Sequence, residues 1–179
     1  LGLYGYGRIA RAVAVYARAF GVKVIWWSSD DGRARAAADG ETVAASRAEF
    51  FATSDFVSVH VRLTPATRGL ITAADLAEMK PSASFINTSR AGLVAPGVLL
   101  SALNAGRPGR AGLDVFDTEP LTDAQDPLVH HPGVIATPHI GYVTEDELDK
   151  QFADIYDQIN AYAAGAPIHM INPEARSAS

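Results

Sequence analysis

The chain has 179 residues, 48% of them apolar, which suits one domain with a sizeable buried core. A formal net charge of −5 and a pI near 5.4 argue against the basic footprint of a nucleic-acid partner or an anionic membrane surface. No cysteine is present, so disulfides, thiol nucleophiles and thiolate metal sites are excluded; cytoplasm is the expected compartment, and no apolar run reaches the roughly 18 residues of a membrane span.

Leu1-Gly2-Leu3-Tyr4 reads as a short strand, followed by a glycine-rich turn and an alanine-rich helix from Arg8 to Phe20. Because Leu1 already lies inside that strand and is not methionine, the chain is expected to be a segment of a longer one. In the turn G-Y-G-R-I-A, Gly5 makes the bend, Gly7 lets a pyrophosphate approach the backbone, and Ala10 keeps helix and strand close. The first N–H groups of the helix and its positive dipole end then face the anion. Ile9, Val13, Tyr16, Ala17 and Phe20 recur every three or four positions and predict its buried face. Val22 to Trp27 is a β-branched and aromatic run, the second strand, where core packing of Trp26 and Trp27 outweighs adenine stacking. Beyond the turn cluster Ser28-Ser29-Asp30-Asp31-Gly32 the pattern suggests a short helix over 33–38 and a short strand over 41–44. Ser46, with Glu49 three residues on, then opens another helix.

Phe56 to Val61 predicts a central strand, and Thr64-Pro65-Ala66-Thr67 a turn-rich loop after it. Thr72 caps a helix to Met79, Ala83 to Asn87 forms the next strand, and Pro96 opens a helix to Ala105. Ala111 to Val115 and Val134 to Ala136 are the last strands, before a long helix from Thr144 to Ala164. This alternation predicts an α/β fold: a doubly wound, mainly parallel, Rossmann-like sheet with helices on both faces. A dinucleotide-binding domain over 1–171 and a tail over 172–179 are expected. Ligands of such sheets bind at the carboxyl ends of the strands. That rule selects Gly5, Tyr6, Gly7, Arg8 and Ile9 in the first turn, Ser28 after the second strand, and His60, Thr67, Thr88 and Gly141 in later loops as candidate cofactor-binding residues. His60 serves equally well as a ligand contact or as a strand end.

Three polar residues at the same edge carry chemistry: Arg90 in N-T-S-R-A-G, Glu119 in D-T-E-P and His139 in T-P-H-I-G. A carboxylate beside a histidine favours the imidazolium and makes it a proton donor near neutral pH. An arginine fork holds a carboxylate in a bidentate pair, which suits a 2-keto or 2-hydroxy acid. Singly, each has an ordinary reading as a surface cation, a turn residue before Pro120, or a loop histidine. Together at one sheet edge they outweigh it, and with a nicotinamide bound they amount to hydride transfer with one acid/base and one anion clamp. His130 and His131 have no carboxylate spacing of a metal site around them, and no metal is assigned.

The runs G-Y-G-R-I-A-R-A-V-A, V-S-V-H-V-R-L-T-P-A-T-R-G-L-I, N-T-S-R-A-G, G-L-D-V-F-D-T-E-P and T-P-H-I-G, in that order, resemble the D-isomer-specific 2-hydroxyacid dehydrogenases. The resemblance covers most of Leu1 to Tyr142. It implies an NAD-binding Rossmann-type domain, with Arg90 on the substrate carboxylate, Glu119 and His139 as the catalytic acid/base pair, and Asp114 near the nicotinamide carboxamide. It also implies a homodimer through this domain. The family's substrate-binding domain has no counterpart here beyond a start at Asn172-Pro173-Glu174. The competing reading is a non-catalytic dinucleotide-binding sensor or interaction module, which the retention of Arg90, Glu119 and His139 disfavours.

Two departures bear on the site. Arg62 replaces a common proline, and Ser28 stands where many relatives carry the aspartate that bonds the ribose hydroxyls. Without that carboxylate the main barrier to a 2′-phosphate is missing, and Arg33 or Arg35 could pair with one. Asp30 and Asp31 could restore the repulsion. NAD is therefore the expected cofactor, and NADP stays open.

Overall fold

In the computed structural model, which describes residues 1–122 and 125–174, six strands pair in parallel in the order β2-β1-β3-β4-β5-β6. They are β1 (Gly2–Tyr4), β2 (Ile25–Trp27), β3 (Phe56–Val59), β4 (Ser84–Asn87), β5 (Arg110–Leu113) and β6 (Val134–Ala136). The order reverses at β1, which pairs with β2 on one side and β3 on the other, so the switch point lies between β1 and β3. The expected doubly wound, parallel α/β architecture is what forms. The expected strand over 41–44 is reduced to one parallel bridge, Val43 against Trp26 at the sheet edge. Trp26 N donates to Thr42 O and Ala44 N to Trp26 O, which satisfies the edge for a single residue only.

The helices between the strands are α1 (Arg8–Ala19), α2 (Asp30–Ala38), α3 (Arg47–Thr53), α4 (Ala73–Glu78) and α5 (Val98–Asn104). Strand alternation sorts the core into two layers. Leu3 and Trp26 point to the side where Ala10 and Ala14 of α1 and Ala36 of α2 pack, while Tyr4, Val57, Val59 and Phe85 pack with Phe50 and Phe51 of α3, Leu76 of α4 and Leu99 and Leu103 of α5. Phe50, Phe51 and Phe85 are fully buried. Each contributes about 1.5–3 kcal/mol by burial.

Two local readings are corrected. The buried stripe of α1 is Ala10 and Ala14, not the larger residues: Ile9, Tyr16 and Phe20 are 71%, 67% and 86% exposed. A helix leaving a glycine turn runs so close to its strand that only small side chains fit on the facing side. The second correction concerns α2, which starts at Asp30 rather than Arg33. Ser29 caps it by accepting from Gly32 N at 3.2 Å, so the cluster read as a turn is a helix start with two acidic residues in its first turn. The caps read at Ser46 and Thr72 are present, and Thr72 with Asp75 closes a reciprocal capping box. Pro96 precedes α5, but the N-cap is Gly97, at φ +72°.

The chain divides into two compact units, Leu1–His139 and Ile140–Ser179. The second contains α6 (Glu145–Ala163), capped by Thr144, which accepts from Glu147 N at 3.2 Å. Glu145, Asp146 and Glu147 complement the helix dipole there, and Gly165 at φ +74° follows its end. Residues 175–179 of the expected tail lie outside the described residues. Among the described residues no helix is long and apolar enough to cross a membrane.

Candidate active site

The carboxyl ends of β1 and β3 frame a crevice of about 590 Å³, the scale of a small-molecule site. Its first wall is the glycine turn. Gly5 takes φ +108°, and a Cβ there would lie 2.5 Å from the carbonyl oxygen of His60 at the end of β3. Glycine is thus required twice over, by conformation and by close approach. Gly5 N donates to Trp27 O and His60 N to Tyr4 O, both at 2.8 Å, so neighbouring strands fix the turn. Gly7 differs. It is the N-cap of α1 with an ordinary extended backbone, it lines the crevice, and a Cβ there would meet nothing within 4 Å. No side chain caps α1 and no acidic residue occupies its first turn, so its N–H groups and dipole face the opening.

Of the sequence candidates, Gly7, Arg8, Ile9, His60, Thr88 and Arg90 line the crevice. Tyr6 turns inward instead, its ring edge-on to Trp26 and its hydroxyl donating to Asp39 at 2.6 Å, so only its backbone shapes the turn. Burial is the main reason its phenol titrates above the ordinary range, and its bond to Asp39 adds to that. Burial likewise lowers the His60 imidazole, whose Nε2 lies 3.0 Å from Ser58 Oγ. Thr67 spends its hydroxyl on its own loop, accepting from Thr64 N and donating to Arg62 O. Ser28 packs beneath α2, where a Cβ on Gly32 would lie 2.2 Å from its Oγ. Gly141 belongs to the second unit.

The loops after β5 and β6 bring Glu119 and His139 together. Phe116 N donates to Glu119 Oε1 at 2.9 Å, and Glu119 Oε2 lies 2.6 Å from His139 Nδ1. The Phe116 amide is the main reason the Glu119 carboxyl titrates below its ordinary value; burial opposes it, and the His139 ring and the positive charge of Arg90 add to the lowering. His139 sits at φ +55°, a conformation uncommon for a residue with a side chain, and the His139 and Glu119 side chains remain 26% and 34% exposed. Thr137 donates to buried Asp114 at 2.5 Å and ties the β6 exit to the β5 exit. Arg90 is exposed, and its charge reaches Glu119.

The sequence reading missed what holds Arg90. Asn87 is buried at the end of β4; its Nδ2 donates to Arg90 O at 2.9 Å and its Oδ1 accepts from Ser89 N at 3.0 Å. The signal was present in N-T-S-R, an Asx-type turn. It also missed a brace beside the crevice. Arg47 donates to Asp75 through Nε at 2.5 Å and Nη2 at 2.7 Å, to Tyr4 Oη at 2.9 Å, and to the carbonyl of Leu70. Three segments far apart in sequence, around Tyr4, Arg47 and Leu70 to Asp75, meet at that guanidinium, which no local pattern announces. Among the described residues no cluster of three histidines or carboxylates could hold a metal ion.

Comparison with known proteins agrees with the fold. The family model for the D-isomer specific 2-hydroxyacid dehydrogenase, NAD binding domain, matches residues 1–141. The chain is 39% identical over 165 residues to a D-3-phosphoglycerate dehydrogenase of Mycobacterium tuberculosis, covering 92% of this chain and 31% of that protein. It is 36% identical over 183 residues to the glyoxylate reductase of Thermococcus litoralis, covering 100% of this chain and 54% of the other. A solved oxidoreductase from Ralstonia solanacearum superposes with a TM-score of 0.92 at 44% identity, over 98% of this chain and 51% of that one. The chain therefore spans about half the length of two of these relatives and under a third of the other.

Proposed function

Since the chain belongs to the D-isomer-specific 2-hydroxyacid dehydrogenases, through their NAD-binding domain, we propose that it serves the reversible oxidation of a D-2-hydroxy acid to the 2-keto acid. The observation that carries this reading is the 2.6 Å contact between Glu119 and His139 at the edge that also holds the glycine crevice. A module that bound the dinucleotide without chemistry would have no use for that pair.

The crevice fits a dinucleotide, because Gly7 in its lining leaves open space where a side chain would stand. Gly5 to Ile9 and the N-terminus of α1 would hold the pyrophosphate, with Arg8 beside it and His60 and Thr88 along the wall. The chemistry that a bound NAD would supply is hydride exchange with C2 of the hydroxy acid. Glu119 at Nδ1 fixes the N–H on that nitrogen and orients the ring, so His139 takes the hydroxyl proton through Nε2 and gives it back in reduction. Arg90, held at its backbone by Asn87, pairs with the substrate carboxylate and polarises the developing carbonyl oxygen. Asp114, held by Thr137, stands at the β5 exit for the nicotinamide carboxamide.

His139→Ala is expected to lower turnover by roughly 10²–10⁴-fold. The measurement is the rate with glyoxylate, hydroxypyruvate and pyruvate as keto acids; near-normal turnover would remove the acid–base assignment. The same reading places the protein in the cytoplasm and joins two copies through this domain. Light scattering at micromolar concentration should then give twice the chain mass, and a monomer would contradict it.

A further inference from the structure

We propose that Phe116 is the positioning residue of the acid–base pair: its ring packs against the core and thereby aims the backbone amide that fixes Glu119 on His139. The inference rests on the acid–base reading above and adds to it the residue through which the fold sets the pair.

The loop that leaves β5 is anchored at its start and open at its end. Asp114 and Val115 are buried, Asp114 N donates to Asn87 O at 3.1 Å, and the Asp114 carboxylate accepts from the Thr137 hydroxyl at 2.5 Å. From Asp117 to Pro120 every residue is exposed. Among the described residues no backbone–backbone hydrogen bond holds 115–119, so no ladder sets the direction of the Phe116 amide. Its side chain does. The ring is half-buried and packs against the main core layer, where it lines a cavity of about 60 Å³ with Leu99, Leu113 and Leu128. A shortened side chain would enlarge that cavity and free the loop to settle into it.

The amide acts directly on the pair. Phe116 N donates to Glu119 Oε1 at 2.9 Å, and Glu119 Oε2 lies 2.6 Å from His139 Nδ1. One carboxylate oxygen is thus spent on the loop's own backbone and the other on the imidazole, so a tilt of the Phe116 peptide is passed on to His139. The charged groups that act on Glu119 are His139 from the β6 exit and Arg90 from the β4 exit, while Asp114 and Asp117 share its loop. Ahead of both stands the Phe116 amide, the strongest influence on the carboxyl and one that favours its ionised form. A residue that merely filled the core would change stability without moving that titration.

The test is a carboxyl-carbon NMR titration of Glu119 in the cofactor-free chain, beside the thermal midpoint and the kcat and KM of the same variants with glyoxylate. In Phe116→Ala a hydrogen bond to the ionised carboxylate is lost, so the Glu119 titration should move up toward the ordinary glutamate range. The kcat should fall by roughly tenfold to a hundredfold with KM little changed. Phe116→Met, whose flexible chain fills irregular apolar space, should bring both back toward the parent. Should Phe116→Ala not fold, the milder truncation Phe116→Val carries the same expectation. The NMR titration needs no turnover, so it decides by itself whether the ring holds the amide. A Glu119 titration that stays with the parent while the thermal midpoint drops would overturn the proposal and leave the acid–base reading standing. An unchanged kcat in a variant whose Glu119 titration has moved would do the same, whereas near-normal turnover in His139→Ala would overturn both.

Discussion

The glycine crevice and the Glu119–His139 corner stand at the carboxyl edge of one sheet, yet the first is built of backbone and the second of side chains. In the crevice the decisive features are a φ of +108° at Gly5, a carbonyl 2.5 Å from where its Cβ would be, and the open space beside Gly7. In the corner they are a carboxylate, an imidazole and one amide donor on two exposed loops. The difference teaches where each region breaks. Backbone geometry fails together with the fold, whereas a side-chain pair fails alone, and His139→Ala is accordingly expected to cost turnover while leaving the sheet intact.

Gly5→Ala should show the opposite pattern and the largest loss of stability. The positive φ costs about 1–3 kcal/mol, and displacing the His60 carbonyl adds an overpacking cost of about 1–3 kcal/mol. Urea unfolding would read the sum; a midpoint equal to that of the parent chain would mean that the crevice is not fixed by backbone.

A smaller effect is expected at the brace beside the crevice. Asp75→Asn removes the charged partner of Arg47 and should destabilise by about 1–3 kcal/mol, the partial exposure of Arg47 keeping the loss below that of a fully buried pair. Burial acts most strongly on the Asp75 carboxyl and would raise it, but the bonds from Arg47 and Thr72 together outweigh burial and hold it below its ordinary value. A depressed carboxylate binds fewer protons folded than unfolded. Its contribution is therefore fully present above about pH 4, the ordinary Asp value, and is lost as pH falls through the lower folded value. The stability gap between parent and Asp75→Asn should narrow over that acid range; a gap constant with pH would contradict the ion-pair account.

The same contrast explains what the sequence made legible. The strand–turn–helix at Gly5 to Ala10 could be read because its constraints are local, and the parallel sheet because strands and helices alternate. Glu119 and His139 were read as a pair although 20 residues separate them, since topology brings both to one edge. The buried face of α1 was misread because helical spacing identifies a stripe without showing how near the neighbouring strand lies; proximity selected Ala10 and Ala14 over Tyr16 and Phe20. The start of α2 was misread because Ser, Asp and Gly serve turns and helix N-termini alike. The Arg47 brace joins partners 23, 28 and 43 residues away, a distance over which periodicity carries no information.

Gly7→Val addresses the central claim, that the β1–β3 crevice is the dinucleotide site, with the smallest disturbance of the fold. The added side chain enters the crevice rather than the core, and losing a glycine N-cap costs about 1 kcal/mol or less. Titration with NADH should show saturable one-site binding by the parent chain and a loss of at least about tenfold in Gly7→Val, while the thermal midpoint moves by a few degrees at most. No binding by the parent chain, or equal binding by Gly7→Val, would contradict the account.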